Sequence, residues 1–372
     1  MTATSAANIL VAGAGPTGLA CALELARRGF TPRIIDKGAD FTPEAQSRAL
    51  GVNNRTLQLL GPSGVTDKLL AEGTRATRLR VRNENGRDVI CASFSHPGAL
   101  YPFVLVVPQG RTERLLAQAL AAHGVTIEWN TEVTGANGDV ERPEVYITGP
   151  GGKESVRADI VIGADGAGSE IRKFFGFSFD GESFPTEFGL ADIDLAEPFD
   201  AEEMFIHFTQ TDILARIPMR GKTVRYISPR ADISKALPKD LKIERMVWRS
   251  SFHINFRHVE QMARGAVFLA GDAAHVHSPV GARGMNLGIE DACWLAWAIE
   301  NEKTDEYSDL RMPVVRMVVA QTKAQTNALL GFNAVTRFLR DHVANRLLAI
   351  PAFRAAAFKR ITGLDSPAPP WL

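Results

Sequence analysis

Cysteine is scarce in this chain of 372 residues: Cys21, Cys91 and Cys293 lie far apart, and their number is odd. No pair has C-x-x-C spacing, so neither a disulfide framework nor a zinc site is expected, and a reducing cytosol is the fitting compartment. Net charge is missing as well. The 42 basic and 42 acidic side chains cancel, which leaves no electrostatic footprint for nucleic acid or an anionic membrane surface. Nor is there a long uninterrupted apolar run. The N-terminal stretch NILVAGAGPTGLACALELARRG carries Pro16, Glu24 and several glycines, with no basic segment before it, so it reads as neither signal peptide nor membrane span. Internal repeats and low-complexity tracts are also lacking. A soluble, cytoplasmic, globular protein is expected, with 45% apolar residues to build its core.

What is present begins with a strand, a loop and a helix. Asn8–Ala12 reads as a buried strand, Pro16–Gly29 as a helix ending on glycine and Thr31–Asp36 as a second strand. That unit implies a parallel sheet. A polar loop and a helix near Asn54–Leu60 follow, then paired strands Leu79–Asn83 and Val89–Phe94 around Asn85-Gly86, and a helix over Thr112–His123. Short strands are expected at Val125–Glu128 and Val145–Thr148, and buried strands at Asp159–Ala164 and Ala266–Ala270. From Glu187 to Phe256 period-two segments dominate, which predicts an inserted antiparallel sheet on the substrate side. From Met285 onward the chain reads as helical, punctuated by Pro313 and Pro351, with the final SPAPPWL frayed.

Three segments carry chemistry. In the first, Gly13-Ala-Gly15-Pro16-Thr17-Gly18 joins strand to helix. Gly13 permits the tight turn, Gly15 admits a pyrophosphate to the backbone, and Gly18 lets helix and strand pack closely. The helix N-terminus offers free N–H groups to phosphate, and Asp36, eighteen residues past Gly18, is placed to accept from an adenosine ribose. This motif indicates dinucleotide binding without separating FAD from NAD; the bland alternative is a glycine-rich turn with no ligand. In the second segment, ADIVIGADGAGSEIR, a buried strand delivers Asp165-Gly166 to a turn, and Ser169 is placed to cap the helix bearing Arg172. Alone, it reads as an ordinary capped turn. In the third, GAVFLAGDAAHVHSPVGARGMNLGIEDA, a strand ends on Asp272 and the loop Pro279–Gly284, with Gly281 and Gly284, leads into a helix at Met285 and Asn286. His275 and His277 flank the turn, and their spacing favours structural or cofactor-packing roles over a metal site.

In this order the three segments resemble the group A FAD-dependent aromatic monooxygenases with the para-hydroxybenzoate hydroxylase fold. The resemblance extends to Gln46-Ser-Arg48-Ala49, to Gln109 with Arg111 and Glu113, and to Arg311-x-Pro313. It implies an α/β fold: a Rossmann-like FAD-binding domain with an inserted antiparallel β-sheet substrate domain and a helical C-terminal tail. The FAD-binding parts are expected at 1–75, 107–184 and 259–301, the substrate-domain parts at 76–106 and 185–258, and the helical region at 302–372. Asp36 and Lys37 would serve the adenosine side, Arg48 the pyrophosphate, and Asp272 the ribitol. Gln109 would lie near the cofactor, and Asp165 near FAD and an incoming NADPH or NADH. The backbone of Pro279, Gly281 and Gly284, with Met285 and Asn286 behind it, would surround the flavin and support a flavin hydroperoxide that hydroxylates a phenolic or polycyclic substrate with dioxygen. The sequence departs from many relatives in Ala282-Arg283 for Gly-Gln and in Asp36 for Glu. The thioredoxin-like C-terminal domain of some relatives and the Trp-x-Trp-x-Ile-Pro segment of flavin halogenases are expected to be absent.

The substrate base is the least determined element. His207 on the inserted sheet is one candidate, although a strand histidine with no task is the commoner case. Arg216, Arg225 and His253 also lie on strands of this sheet; arginines there are more often solvated sheet-face residues than carboxylate clamps, and none of the three is counted among the catalytic groups. The sequence names neither substrate nor oligomeric state. Two other readings stay open at this point: an FAD-dependent dehydrogenase or reductase without oxygen insertion, and a non-catalytic binder of an aromatic ligand.

Overall fold

The computed structural model describes residues 7–94, 99–210, 212–331 and 333–372. Its centre is a six-stranded sheet in the order Ala263–Arg264, Val267–Leu269, Ile160–Gly163, Ile9–Ala12, Arg33–Ile35, Ile127–Glu128, parallel apart from its first pair. Ile9–Ala12 is completely buried because both of its faces are covered, as a parallel sheet requires. The helix Pro16–Arg27 packs on it, started by proline at its first turn. Helix Gly284–Glu300 lies against that helix, apolar almost all round and buried from Asn286 to Ala296.

The second large layer is an eight-stranded sheet. Its order is His275–Val276, Ile243–His258, Asp180–Leu195, Thr223–Ser228, Ile213–Pro218, Glu203–Phe208, Arg78–Arg82, Asp88–Ser93. The expected antiparallel insertion is therefore mixed in one place, since Glu203–Phe208 pairs with Arg78–Arg82 in parallel. Two three-stranded sheets complete the fold, one of Gly152–Arg157, Glu144–Gly149 and Glu132–Ala136, the other of Gly51–Val52, Val104–Val106 and Thr74–Ala76. The strands of the second carry too few residues for a period to show in sequence. Val104–Val106 pairs with both Gly51–Val52 and Thr74–Ala76, and the strand Asp180–Leu195 spans residue 184. Among the described residues no helix is long and apolar enough to cross a membrane.

Two features of the C-terminal region differ from expectation. Pro313 does not punctuate; it is the seventh residue of the helix Tyr307–Leu330, which continues past it at the loss of one backbone hydrogen bond. The final residues are docked rather than frayed. Trp371 stacks on Trp297 at 5.5 Å and meets Trp294 edge-on at 5.1 Å, with the Arg28 guanidinium over its ring.

An ionic cluster joins these layers. Arg311, fully buried, donates to Asp291 at 2.8 Å and to Glu290 at 3.1 Å, while the other Asp291 oxygen accepts from His275 at 2.6 Å and from the Gly271 amide at 3.2 Å. Burial alone would push the Asp291 carboxyl up, but Arg311 and His275 outweigh it and hold the group below the ordinary carboxylate range. Its folded value being depressed, the stability it contributes is present above about pH 4 and is lost as pH falls further. Asp291→Ala leaves the buried Arg311 with Glu290 alone and His275 and the Gly271 amide without their acceptor, so urea denaturation at pH 7 is expected to show a loss of about 3–5 kcal/mol; a loss below 1 kcal/mol would mean that the cluster is not a fold determinant.

Candidate functional site

A cleft of about 660 Å³ runs between the C-terminal ends of the parallel strands and the face of the eight-stranded sheet. Ligands of open parallel sheets bind at such strand ends. On the first side its wall contains Gly13, Gly15, Pro16, Thr17, Asp36, Lys37, Arg48, Gln109, Asp165, Asp272, Pro279, Gly284 and Met285. On the second side it contains Leu190, Ile217, Arg225, Ile227, Phe252, His253, Ile254 and Asn255.

The glycine loop is built around two steric requirements and one gap. Gly13 has φ +105° and a Cβ there would sit 2.3 Å from the Ala164 carbonyl oxygen, so no other residue fits. A Cβ on Gly18 would come 1.9 Å from the Gly13 oxygen, which is why Gly18 acts through packing and is not on the cleft wall. At Gly15, by contrast, a Cβ would meet nothing within 4 Å: the space belongs to the cleft. No side chain caps the helix that follows, leaving its N-terminal amides for an anion. Asp36 holds this loop in shape by accepting from the Ala14 amide at 2.6 Å and the Gly38 amide at 2.7 Å. A carboxylate has about four acceptor positions, so capacity remains for ribose hydroxyls.

The two other acids have groups to spare. One Asp165 oxygen accepts from the Glu170 and Ile171 amides at 2.7 and 3.2 Å, and the other is buried without a partner. Burial raises its carboxyl above the ordinary range in spite of these bonds. Ser169 caps the next helix by accepting from the Arg172 amide at 3.0 Å. Asp272 opens onto the cleft, and its carboxyl is likewise raised by burial, with His275 opposing. Carboxyl groups with acceptor positions to spare, an uncapped helix end and a glycine-sized gap suit a ligand carrying both phosphates and hydroxyls. That is the chemistry of FAD, and the residues present fit it.

The loop before the last long helix is fixed from behind. Ala282 has φ +53°, a left-handed conformation that costs a non-glycine residue roughly 1–2 kcal/mol. Asn286 compensates by donating to the Ala282 carbonyl at 2.6 Å and to the Gly51 carbonyl at 2.8 Å, and by accepting from the Asn53 amide at 2.9 Å. With its side chain so engaged, Asn286 shapes the loop and does not line the cleft; Gly281, at φ +86°, turns the loop and is not on the wall either. Arg283 points away, donating to the Arg360 carbonyl and to Asp365 at 2.8 Å. His277 is on the wall, its Nδ1 donating to the Ser278 carbonyl at 2.9 Å, and burial followed by the neighbouring His275 lowers it to about 4.

On the sheet side the sequence reading needs correction. His207 is not on the cleft wall; it sits on Glu203–Phe208, opposite Leu214 and beside Phe205, and no residue of that strand lines the cleft. Arg225 is not a solvated residue. It is 1% exposed, and it makes a bidentate pair with Asp192, itself 1% exposed, at 2.6 and 2.7 Å. Its remaining nitrogen donates to the Arg48 carbonyl at 2.8 Å, tying the sheet to the cofactor loop. Asp192 and Arg225 are direct cross-strand neighbours, but they lie 33 residues apart in the chain, and only the strand register reveals the pair.

Two outcomes follow. Gly15→Val is expected to leave the fold intact and to abolish FAD retention, whereas Gly18→Ala compromises the fold itself; absorbance of bound flavin and apoprotein melting curves separate the two, and retained FAD in Gly15→Val would exclude the cleft as its site. His277, depressed on folding, contributes stability that is complete above pH 6.5 and lost as pH falls towards 4. Between pH 7 and 4 the wild type is therefore expected to lose more unfolding free energy than His277→Asn, and parallel curves would show that His277 has ordinary basicity.

Residues 6–322 match the family model described as FAD binding domain. The chain is 33% identical over 356 residues to 6-methylpretetramide 4-monooxygenase of Streptomyces rimosus, covering 88% of this chain and 63% of that protein, so it spans somewhat less than two thirds of that relative's length. It is similar to the solved anhydrotetracycline hydroxylase of Streptomyces rimosus at TM-score 0.80 and 28% identity, with 98% of this chain and 77% of that one covered. Its fold also matches p-nitrophenol 4-monooxygenase of Pseudomonas putida at TM-score 0.83, with 22% identity and coverage of 96% and 98%. The chain belongs to the FAD binding domain family, and FAD is its cofactor.

Proposed function

We propose that the protein is an NAD(P)H-dependent FAD monooxygenase that hydroxylates an aromatic small molecule. In balance, the ring C–H, dioxygen, NAD(P)H and one proton give the ring C–OH, water and NAD(P)+. The observation that carries the reading is the continuity of the cleft: one wall holds the cofactor-binding groups, and the opposite wall is an apolar sheet face of Leu190, Ile217, Ile227, Phe252 and Ile254. Phe252 is held flat against Phe188, at 5.8 Å and 23°, giving an aromatic platform opposite the cofactor side. Bound FAD supplies the transfer of two electrons from the nicotinamide and of one oxygen atom from dioxygen.

The chain's own contribution is position and dryness. The cofactor-side loop presents Gly284 to the cleft, where a Cβ would meet nothing within 4 Å, so a planar ring system is able to approach the backbone. The apolar sheet face excludes water from the other side; His253 and Asn255 also border the cleft, from the opposite face of the strand that carries Phe252 and Ile254. His207 is not proposed as the base. The names of the relatives support an aromatic substrate, the odd, dispersed cysteines support a reducing cytosol, and the balanced charge gives no footprint for a nucleic-acid or membrane partner.

The test is isotopic. With a substrate that accelerates NAD(P)H oxidation, labelled dioxygen is expected to place one labelled oxygen atom in the product, and Gly284→Val to divert electrons to hydrogen peroxide as its side chain fills the gap. Product without label, or a reduced product, would establish the dehydrogenase or reductase reading instead.

A further inference from the structure

The aromatic-hydroxylase reading leaves the charge of the substrate open, and the cleft bears on it. Three cations lie on the described wall: Lys37 and Arg48 on the cofactor side, and Arg225 on the sheet side. Arg225 would be the natural partner for a substrate carboxylate, since a planar guanidinium grips carboxylates bidentately. Its fork is already filled. Nε and Nη2 donate to the two Asp192 oxygens at 2.6 and 2.7 Å, and Nη1 donates to the Arg48 carbonyl at 2.8 Å. Both members of the pair are 1% exposed, so the exchange of Asp192 for another carboxylate would leave Asp192 buried and unpaired. The side chains around the pair are apolar: Leu190, Ile217, Ile227 and Phe252 share the wall.

We propose that the Asp192–Arg225 pair makes the site selective for neutral aromatic substrates and excludes those bearing a carboxylate, with Asp192 as the specificity-determining residue. This rests on the aromatic-substrate reading given above. Asp192 acts through Arg225 by internal neutralisation: the cation stays in place to tie strand Thr223–Ser228 to the Arg48 loop, but its charge is withheld from the ligand. Were Asp192 replaced by the nearly isosteric asparagine, the hydrogen bonds to Arg225 would be retained in part and the buried positive charge would be left free to meet an anion.

The experiment measures binding to the FAD-loaded protein at pH 8, where an imidazole of ordinary basicity is uncharged, using matched probes that differ only in one carboxylate: 2-naphthol against 6-hydroxy-2-naphthoate, and phenol against 4-hydroxybenzoate. Dissociation constants come from the perturbation of the flavin spectrum, with no turnover required. Wild type is expected to bind the neutral member of each pair at least about tenfold more tightly, a difference of about 1.4 kcal/mol. Asp192→Asn is expected to narrow or reverse that preference by tenfold or more, chiefly by strengthening the anion. If wild type binds the carboxylate as tightly as the neutral probe, the proposal is overturned while the hydroxylase reading stands; this arm needs no variant and holds even if Asp192→Asn does not fold. An unchanged ratio in a folded, FAD-loaded Asp192→Asn would remove Asp192 from the role. If no member of either pair perturbs the flavin, the aromatic-substrate reading and the proposal fall together.

Discussion

The structure depends on one buried carboxylate. Asp291 lies in the middle of the last long helix of the cofactor layer, where nothing but pairing makes a charge tolerable. It accepts from Arg311 on the following helix, from His275 just past the Asp272 turn, and from the amide of Gly271 within that turn. A single side chain thereby sets the distance between the turn that carries Asp272 and the two helices behind it. Glu290, its neighbour, extends the cluster through Arg311 to Ser366 in the C-terminal segment at 2.9 Å. The polar groups facing the cleft are accurate in position because these groups behind them are not free to move.

A second constraint comes from the sheet. Arg225 is placed by its register with Asp192 and reaches across to the Arg48 carbonyl. The cleft is thus braced at both ends by buried guanidinium groups, Arg311 under the cofactor turn and Arg225 under the substrate wall, each with its charge cancelled within the protein. Neutralised in this way, the braces do not compete with the ligands for the field inside the cleft. Asp165 and Asp272, which have no such partners, are the groups left with hydrogen-bonding capacity towards whatever enters.

Much of this architecture is legible in the sequence. The strand Ile9–Ala12, the helix from Pro16, the helix Asn54–Leu60 and the hairpin around Asn85-Gly86 lie where local pattern and turn chemistry put them. Glycines are the most informative letters, because a steric demand such as that of Gly13 against Ala164 admits one residue. Strands of two or three residues, such as Gly51–Val52 and Thr74–Ala76, are invisible because their pairing partners, not their own period, define them. The same reason hides Arg225: an arginine on an alternating strand looks solvated until the strand beside it supplies Asp192. His207, for which a strand histidine with no task is the commoner reading, has the right chemistry on a strand that contributes no residue to the cleft wall.

The C-terminal segment shows how far a composition-based reading can miss. Pro, Ala and Ser in SPAPPWL read as a loose end, yet its backbone is held at several points. Arg55 donates to the Ser366 carbonyl at 3.3 Å, Gly363 turns at φ +76° against the Asn53 side chain, and Trp371 closes a cluster with Trp294 and Trp297. Asn53, in turn, donates its amide to Asn286, which holds the Ala282 carbonyl. Arg283, the departure from the commoner glutamine, spans the remaining gap by gripping the Arg360 carbonyl and Asp365. The side chain that looks foreign in a cofactor loop faces away from the cofactor: it fastens the loop to the segment behind it, so that a strained left-handed alanine is held in place from both sides.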